Sequence, residues 1–162
     1  MSNLQGFIMR RKEKGITNRT EIEQILKEAQ VCRLGMVDGK TPYIVPLNFG
    51  YRENTLYFHS ASSGRKIDIL KNNPEVCFEI DIPGKIINSE KACNWGMEFL
   101  SIIGEGDVLF LDDEKERVEA LNIIMRHYSD KDDWKFNNKM LEKTSVFKVK
   151  IDSISAKRSG RA

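Results

Sequence analysis

The sequence predicts a mainly β fold, a small antiparallel barrel of six strands with helices at its periphery. Three observations predict it. Apolar and polar residues alternate over short segments, most clearly from Tyr43 to Tyr51. Successive strand segments lie close together in the chain with turn signals between them, which favours hairpins over the long crossovers of a parallel sheet. The apolar stretch over residues 97–111 carries Gly104 and Gly106 in its interior, where a bulge or sharp bend lets a sheet curl.

The elements follow in order. Residues 1–14 read as a loose arm. Residues 21–30 form a helix with Ile22, Ile25, Leu26 and Ala29 as its apolar stripe, and Thr20 with Glu23 makes a capping box at its start. A strand over 31–37 places Cys32, Leu34 and Met36 on one face, and Asp38-Gly39 turns the chain back. The strand over 42–51 puts Tyr43, Val45, Leu47, Phe49 and Tyr51 on one face and Pro46 and Asn48 on the other. Pro46 has no N–H to give to a ladder, so it marks an edge or an interruption.

After a turn at 52–54, a strand over 55–60 turns Leu56 and Phe58 inward. A helix over 65–72 is stopped by Asn73-Pro74. Then come a strand over 75–81, a loop carrying Pro83-Gly84, the long bent strand, and a helix from Asp112-Asp113 to about Tyr128. The last strand, 145–155, alternates Phe147, Val149 and Ile151. Residues 157–162 read as a frayed basic tail. With no repeat and no Pro/Gly-rich linker, the chain is expected to be one domain, 1–162.

Composition narrows the function. The 162 residues carry a net charge of +2 and are 40% apolar. That balance excludes a polycationic nucleic-acid binder and a disordered chain. The longest apolar run, Val108 to Leu111, is far short of the ~20 residues a spanning helix needs, so no membrane association is expected. Three cysteines, Cys32, Cys77 and Cys93, form no close pair and point to a reducing, cytoplasmic setting. They and the two histidines lack metal-ligand spacing, so no metal is expected.

Chemistry concentrates in Phe58-His59-Ser60-Ala61-Ser62-Ser63-Gly64-Arg65-Lys66. A strand end, a Ser/Gly turn and a helix start with two cations make a phosphate cradle, because free N–H groups and the helix dipole face an anion. The same residues also serve as an ordinary helix entrance. His59 lies beside the turn and reads either as a site residue or as an exposed strand histidine. His127, in the last turn of its helix, reads as structural.

These residues, in this order, resemble the pyridoxamine 5'-phosphate oxidase-like flavoproteins, and within them the nitroimidazole-resistance (Nim) family. The resemblance runs from about Met9 to Ile154. It rests on Met9-Arg10-Arg11-Lys12, Val31-Cys32-Arg33-Leu34, the stretches 42–51 and 56–70, and Ala92-Cys93-Asn94-Trp95 leading into Ser101-Ile102-Ile103-Gly104. It implies a six-stranded antiparallel split β-barrel that binds flavin mononucleotide (FMN) between the subunits of a homodimer.

By the family pattern, Arg65 and Lys66 hold the phosphate with Ser60, in a turn that includes Ala61 and Gly64. The main chain of Val45, Pro46, Leu47 and Asn48 runs along the flavin ring. His59 contacts cofactor or substrate as the catalytic residue. Trp95 and Ser101 lie near the ring or the subunit interface. Ala61 and Gly64 replace the Asn and Ser of the oxidases proper, and the tail is short, which points away from pyridoxamine phosphate oxidation itself. The implied activity is reduction of a small-molecule electron acceptor such as a nitroaromatic, with electrons from reduced nicotinamide or another donor. The alternative is a non-catalytic flavin or haem carrier or sensor.

Overall fold

The computed structural model describes residues 10–160. Residues 1–9 of the expected arm and the last two residues of the expected tail lie outside them, while Lys12–Lys14 of that arm form a 3-10 turn. Among the described residues, eight strands form one antiparallel sheet: β1 (Gly15–Ile16), β2 (Cys32–Asp38), β3 (Thr41–Leu47), β4 (Phe49–Arg52), β5 (Thr55–Ala61), β6 (Glu75–Ile87), β7 (Gly96–Phe110) and β8 (Thr144–Ser159). Four α-helices accompany them: α1 (Arg19–Glu28), α2 (Arg65–Asn72), α3 (Glu114–Tyr128) and α4 (Asn138–Glu142).

Hydrogen bonding runs β3-β2-β6-β7-β8-β5-β4, with β1 on β8. The two ends of that path, β3 and β4, are consecutive in the chain and joined through Asn48. The barrel is therefore closed by covalent connection and open in its hydrogen bonds, which is the expected split. The six expected strands become eight for two reasons. One is the two-residue bridge at β1. The other is division of the expected 42–51 strand at Asn48: Leu47 pairs with Cys32 of β2, whereas Phe49 pairs with Phe58 of β5. The chain changes neighbour across a single residue while its inward–outward alternation continues.

Three further differences have local causes. The loop expected at Pro83-Gly84 is part of β6, whose register on β7 shifts between Pro83 and Ile86, a bulge that accommodates the proline. The expected basic tail is ordered as far as Ser159, because Lys157 pairs with both Ser101 and Gly15. Helix α1 starts earlier than expected, since Asn18 rather than Thr20 is the cap. Its side-chain oxygen accepts the Glu21 N–H at 3.2 Å, and Asn outranks Thr in that role. Helix α4 was not anticipated.

Phe49, Phe58, Phe78 and Phe147 fill the barrel and are fully buried. Phe58 stacks on Phe147 with centroids 5.3 Å apart. Each such ring contributes about 1.5–3 kcal/mol by leaving water. Helix α1 closes the interior with Ile25 and Leu26, and α2 with Ile69 and Leu70. A second cluster, built on Leu111, Leu121, Ile124, Leu141 and Val146, lies under α3 and α4. Helix α3 passes so close to β4 that a Cβ at Gly50 would sit 2.8 Å from the backbone of Ile123. No helix among the described residues is long and apolar enough to cross a membrane.

Candidate functional site

Strand β5 ends at Ala61, residues 62–64 turn, and α2 begins at Arg65. Gly64 makes the turn possible: its φ of +121° is a conformation that side-chain-bearing residues rarely adopt. Its carbonyl accepts the N–H groups of Ile67 (2.9 Å) and Asp68 (3.1 Å). The N–H groups of Ser63 and Gly64 in the turn, and of Arg65 and Lys66 in the first turn of the helix, have no acceptor among the described residues. The Ser62 N–H is already engaged by the Lys143 carbonyl at 3.0 Å, and the Ser60 hydroxyl donates to the Ala61 carbonyl at 2.8 Å. Of the amides from Ser62 to Lys66, that of Ser62 is spent and the other four have no acceptor among the described residues.

The two cations behind those amides are in different states. Arg65 is committed: it pairs with Asp38 at 3.2 Å and lies over the Tyr43 ring, 4.4 Å from its centroid. Lys66 is half-buried and has no ion pair among the described residues. Burial pushes its ammonium pKa down, the mark of a charge held without a counter-charge. The His59 imidazole is also pushed down, first by desolvation and then by the Lys66 charge. A cavity of about 580 Å³ opens between the Asp38-Gly39 turn and α2, lined by Val37, Asp38, Arg65, Asp68, Asn72 and Asn73 among others, and of the predicted site residues it meets Arg65 alone.

The edge of β3 forms the other side of the site. Pro42, Ile44 and Pro46 are in phase, and proline has no N–H to give β2, so their backbone polar groups face away from the sheet. That free edge offers three carbonyls and one amide, from Ile44. Tyr43, Val45 and Leu47 turn to the core, while Pro46 and Asn48 are exposed. The Asn48 side chain has no protein partner among the described residues. It lies one step along from the Phe49–Phe58 pair, which puts it next to His59 at the end of the β4–β5 ladder.

Val45–Asn48, His59–Ala61 and Gly64–Lys66 are therefore brought to one region. Trp95 and Ser101 are not. Ser101 pairs with Asp81, one step beyond the Leu47–Cys32–Ile80 rung, which sets it three strands across the sheet from β3, about 14 Å at the spacing of strands. Trp95 is exposed and its indole N–H donates to the Ser89 carbonyl at 2.6 Å. Within one chain these two residues serve a different surface. Asp38 and Tyr43, read from the sequence as a turn residue and a core residue, belong to the site through Arg65. No local signal announces that, because the contact joins separate elements. Among the described residues, no group of three His, Cys, Asp or Glu side chains converges on a metal site.

An open antiparallel barrel whose first and last hydrogen-bonded strands are joined through one residue defines the split-barrel class. The family model described as pyridoxamine 5'-phosphate oxidase matches residues 18–158, and the chain belongs to that family. It is 35% identical to a candidate 5-nitroimidazole antibiotic resistance protein from Bacteroides thetaiotaomicron, over 89% of this chain and 86% of that one, with a TM-score of 0.80. Two more distant structures share the fold. The flavocytochrome Anf3 from Azotobacter vinelandii is 19% identical, over 95% of this chain and 73% of that one, with a TM-score of 0.84. A FAD-binding protein from Mesorhizobium loti is 24% identical, over 88% and 96%, with a TM-score of 0.67. A comparison with curated proteins finds no match.

Proposed function

We propose that this chain is an FMN-dependent oxidoreductase of the nitroimidazole-resistance class. It reduces small electrophiles such as nitroaromatics, with reduced nicotinamide or another donor as the electron source. The observation that carries this reading is Lys66, a half-buried ammonium without a counter-charge beside two free helix amides. A phosphate dianion supplies the missing charge. The relationship to a nitroimidazole-resistance protein supports the substrate class, and the flavin-binding relatives support the cofactor.

In this reading Lys66 and the amides of Arg65 and Lys66 hold the phosphate, with the hydroxyls of Ser60, Ser62 and Ser63 within the same turn. Arg65, oriented by Asp38 and Tyr43, adds positive charge at its rim. The edge of β3 from Val45 to Asn48 meets the ring with carbonyls and the Asn48 amide. Bound flavin supplies the two-electron chemistry. Burial and the Lys66 charge push the His59 imidazole below its ordinary pKa. When an anion offsets the Lys66 charge, the imidazole gains affinity for a proton, which is the change a proton donor to substrate requires.

Two further parts belong to the proposal. The outer face of β2, β3, β6 and β7 exposes Val37, Ile44, Ile103 and Leu109, and a second copy of the chain covers it, bringing Trp95 and Ser101 toward the partner's site. All three cysteines are free, in keeping with work in the cytoplasm.

The test is the visible spectrum of the purified protein, with the chromophore released and identified. A two-band flavin spectrum that yields FMN is expected, followed by turnover of a nitro compound with reduced nicotinamide and its loss in His59→Ala. A Soret band moves the reading to haem. A colourless protein that takes up no added FMN overturns it. Sedimentation at micromolar concentration tests the dimer.

A further inference from the structure

We infer that His127 and Tyr128, at the end of α3, are positioning residues that hold Asn48 in place for the flavin ring. This rests on the flavin reading and names how one part of that site is built. Phe49, the first residue of β4, turns its N–H away from β5, and the Tyr128 hydroxyl accepts it at 3.0 Å. The same hydroxyl donates to the Gln30 carbonyl at 2.8 Å. Beside it, His127 Nε2 lies 2.5 Å from the Ala29 carbonyl; a carbonyl only accepts, so that nitrogen carries the proton. The imidazole packs on the fully buried Phe49 ring, with centroids 4.5 Å apart, and on the Tyr128 ring at 4.8 Å.

These contacts meet at the one place where the chain crosses from one lip of the split to the other. Leu47 is fixed by its pairing with Cys32, two residues after Gln30. Phe49 is fixed by Tyr128, which also holds Gln30. Asn48 is bracketed between two pinned residues, and its own side chain is exposed and without a protein partner. An amide held by both neighbours and left unsatisfied is a preorganised contact for a ring with hydrogen-bonding edges. Neither His127 nor Tyr128 touches the β5–α2 turn, so their effect falls on the ring and not on the phosphate.

The experiment compares FMN with riboflavin, which has the ring but no phosphate. Tyr128→Phe is expected to weaken both by about three- to tenfold and to shift the visible bands of the bound flavin. Competition by inorganic phosphate against FMN should be unchanged relative to the FMN affinity of each protein. In an Asn48→Ala background, Tyr128→Phe should add less than about a twofold further loss, because the residue through which it acts is gone. His127→Gln, which keeps a donor for the Ala29 carbonyl, should retain the wild-type bands, and His127→Leu should not. The His127 pair reads the same effect should Tyr128→Phe fail to fold. A folded Tyr128→Phe protein with unchanged affinity and bands overturns the inference, as does a penalty that persists undiminished without Asn48. Wild-type protein that binds no flavin at all overturns the flavin reading with it, so the two failures are distinguishable.

Discussion

At the β5–α2 turn, the groups that matter are free: the Lys66 ammonium, two helix amides and the His59 imidazole have no committed partner among the described residues. At the β3–β4 corner the opposite holds, since the Phe49 amide, the Tyr128 hydroxyl and the Ala29 and Gln30 carbonyls are all engaged. Among the described residues there, the Asn48 side chain is left open. The two regions divide the work of binding. Unpaired charge gives affinity for an anion, and a fully bonded frame gives a fixed orientation to the single group it presents. Arg65 belongs to neither extreme, being charged like the first region and tied down like the second.

Removing the charge should have the largest effect. Lys66→Ala is expected to weaken FMN roughly ten- to hundredfold, as for loss of a charge-assisted hydrogen bond, while riboflavin affinity stays the same. Calorimetric titration with both ligands checks this, and an equal loss for riboflavin would erase the distinction between the regions. Next comes the frame. Gly50→Ala forces a Cβ against the Ile123 backbone and should cost about 1–3 kcal/mol of stability. Denaturant unfolding reads this directly, and an unmoved midpoint would mean that α3 yields easily and the corner is softer than its bonding implies.

A smaller change is expected from Asp38→Asn. It frees Arg65 from an exposed ion pair worth about 0–1 kcal/mol, so FMN affinity should rise by no more than about fivefold. Weaker FMN binding in that variant would mean that Asp38 orients Arg65 usefully.

The smallest effect is with pH. Burial pushes both His59 and His127 below their ordinary 6.5, and for His127 the Ala29 hydrogen bond opposes the shift only in part. As pH falls below about 6.5 the unfolded chain takes up these protons before the folded one does, so stability should decline with acidification until the folded-state values are passed. Melting curves between about pH 7.5 and 5.5 should show the decline, and His127→Gln should make it shallower. A flat profile would remove histidine burial as its source.

Much of this was legible in the sequence where local signals suffice. Helix α2 has the expected boundaries because Gly64 and Asn73-Pro74 punctuate it, and the inward positions of 43–51 follow from alternation. The break at Asn48 was not legible for the same reason: Leu47 and Phe49 keep phase, and what changes is the strand each pairs with. The Ser/Gly turn before α2 is legible from composition and spacing, yet the commitment of Arg65 to Asp38 and Tyr43 depends on how the β2–β3 hairpin sits against α2. His127 reads as a structural helix-end residue in the sequence, and what the sequence does not show is its partner, a carbonyl 98 positions away. Local sequence carries periodicity and punctuation, and it does not carry which distant backbone group a side chain will meet.

Pro42 and Pro46 also govern how the molecule behaves in a crowd. A sheet edge ordinarily invites another backbone to dock and, repeated from molecule to molecule, leads to fibrils. Here a visiting strand would meet proline at two of the three outward positions of β3, with carbonyls facing it and one amide to share. Continuous pairing fails within a few residues. The lip of the barrel therefore stays unzipped in concentrated solution, a poor template for polymerisation and still an open slot for a small flat guest.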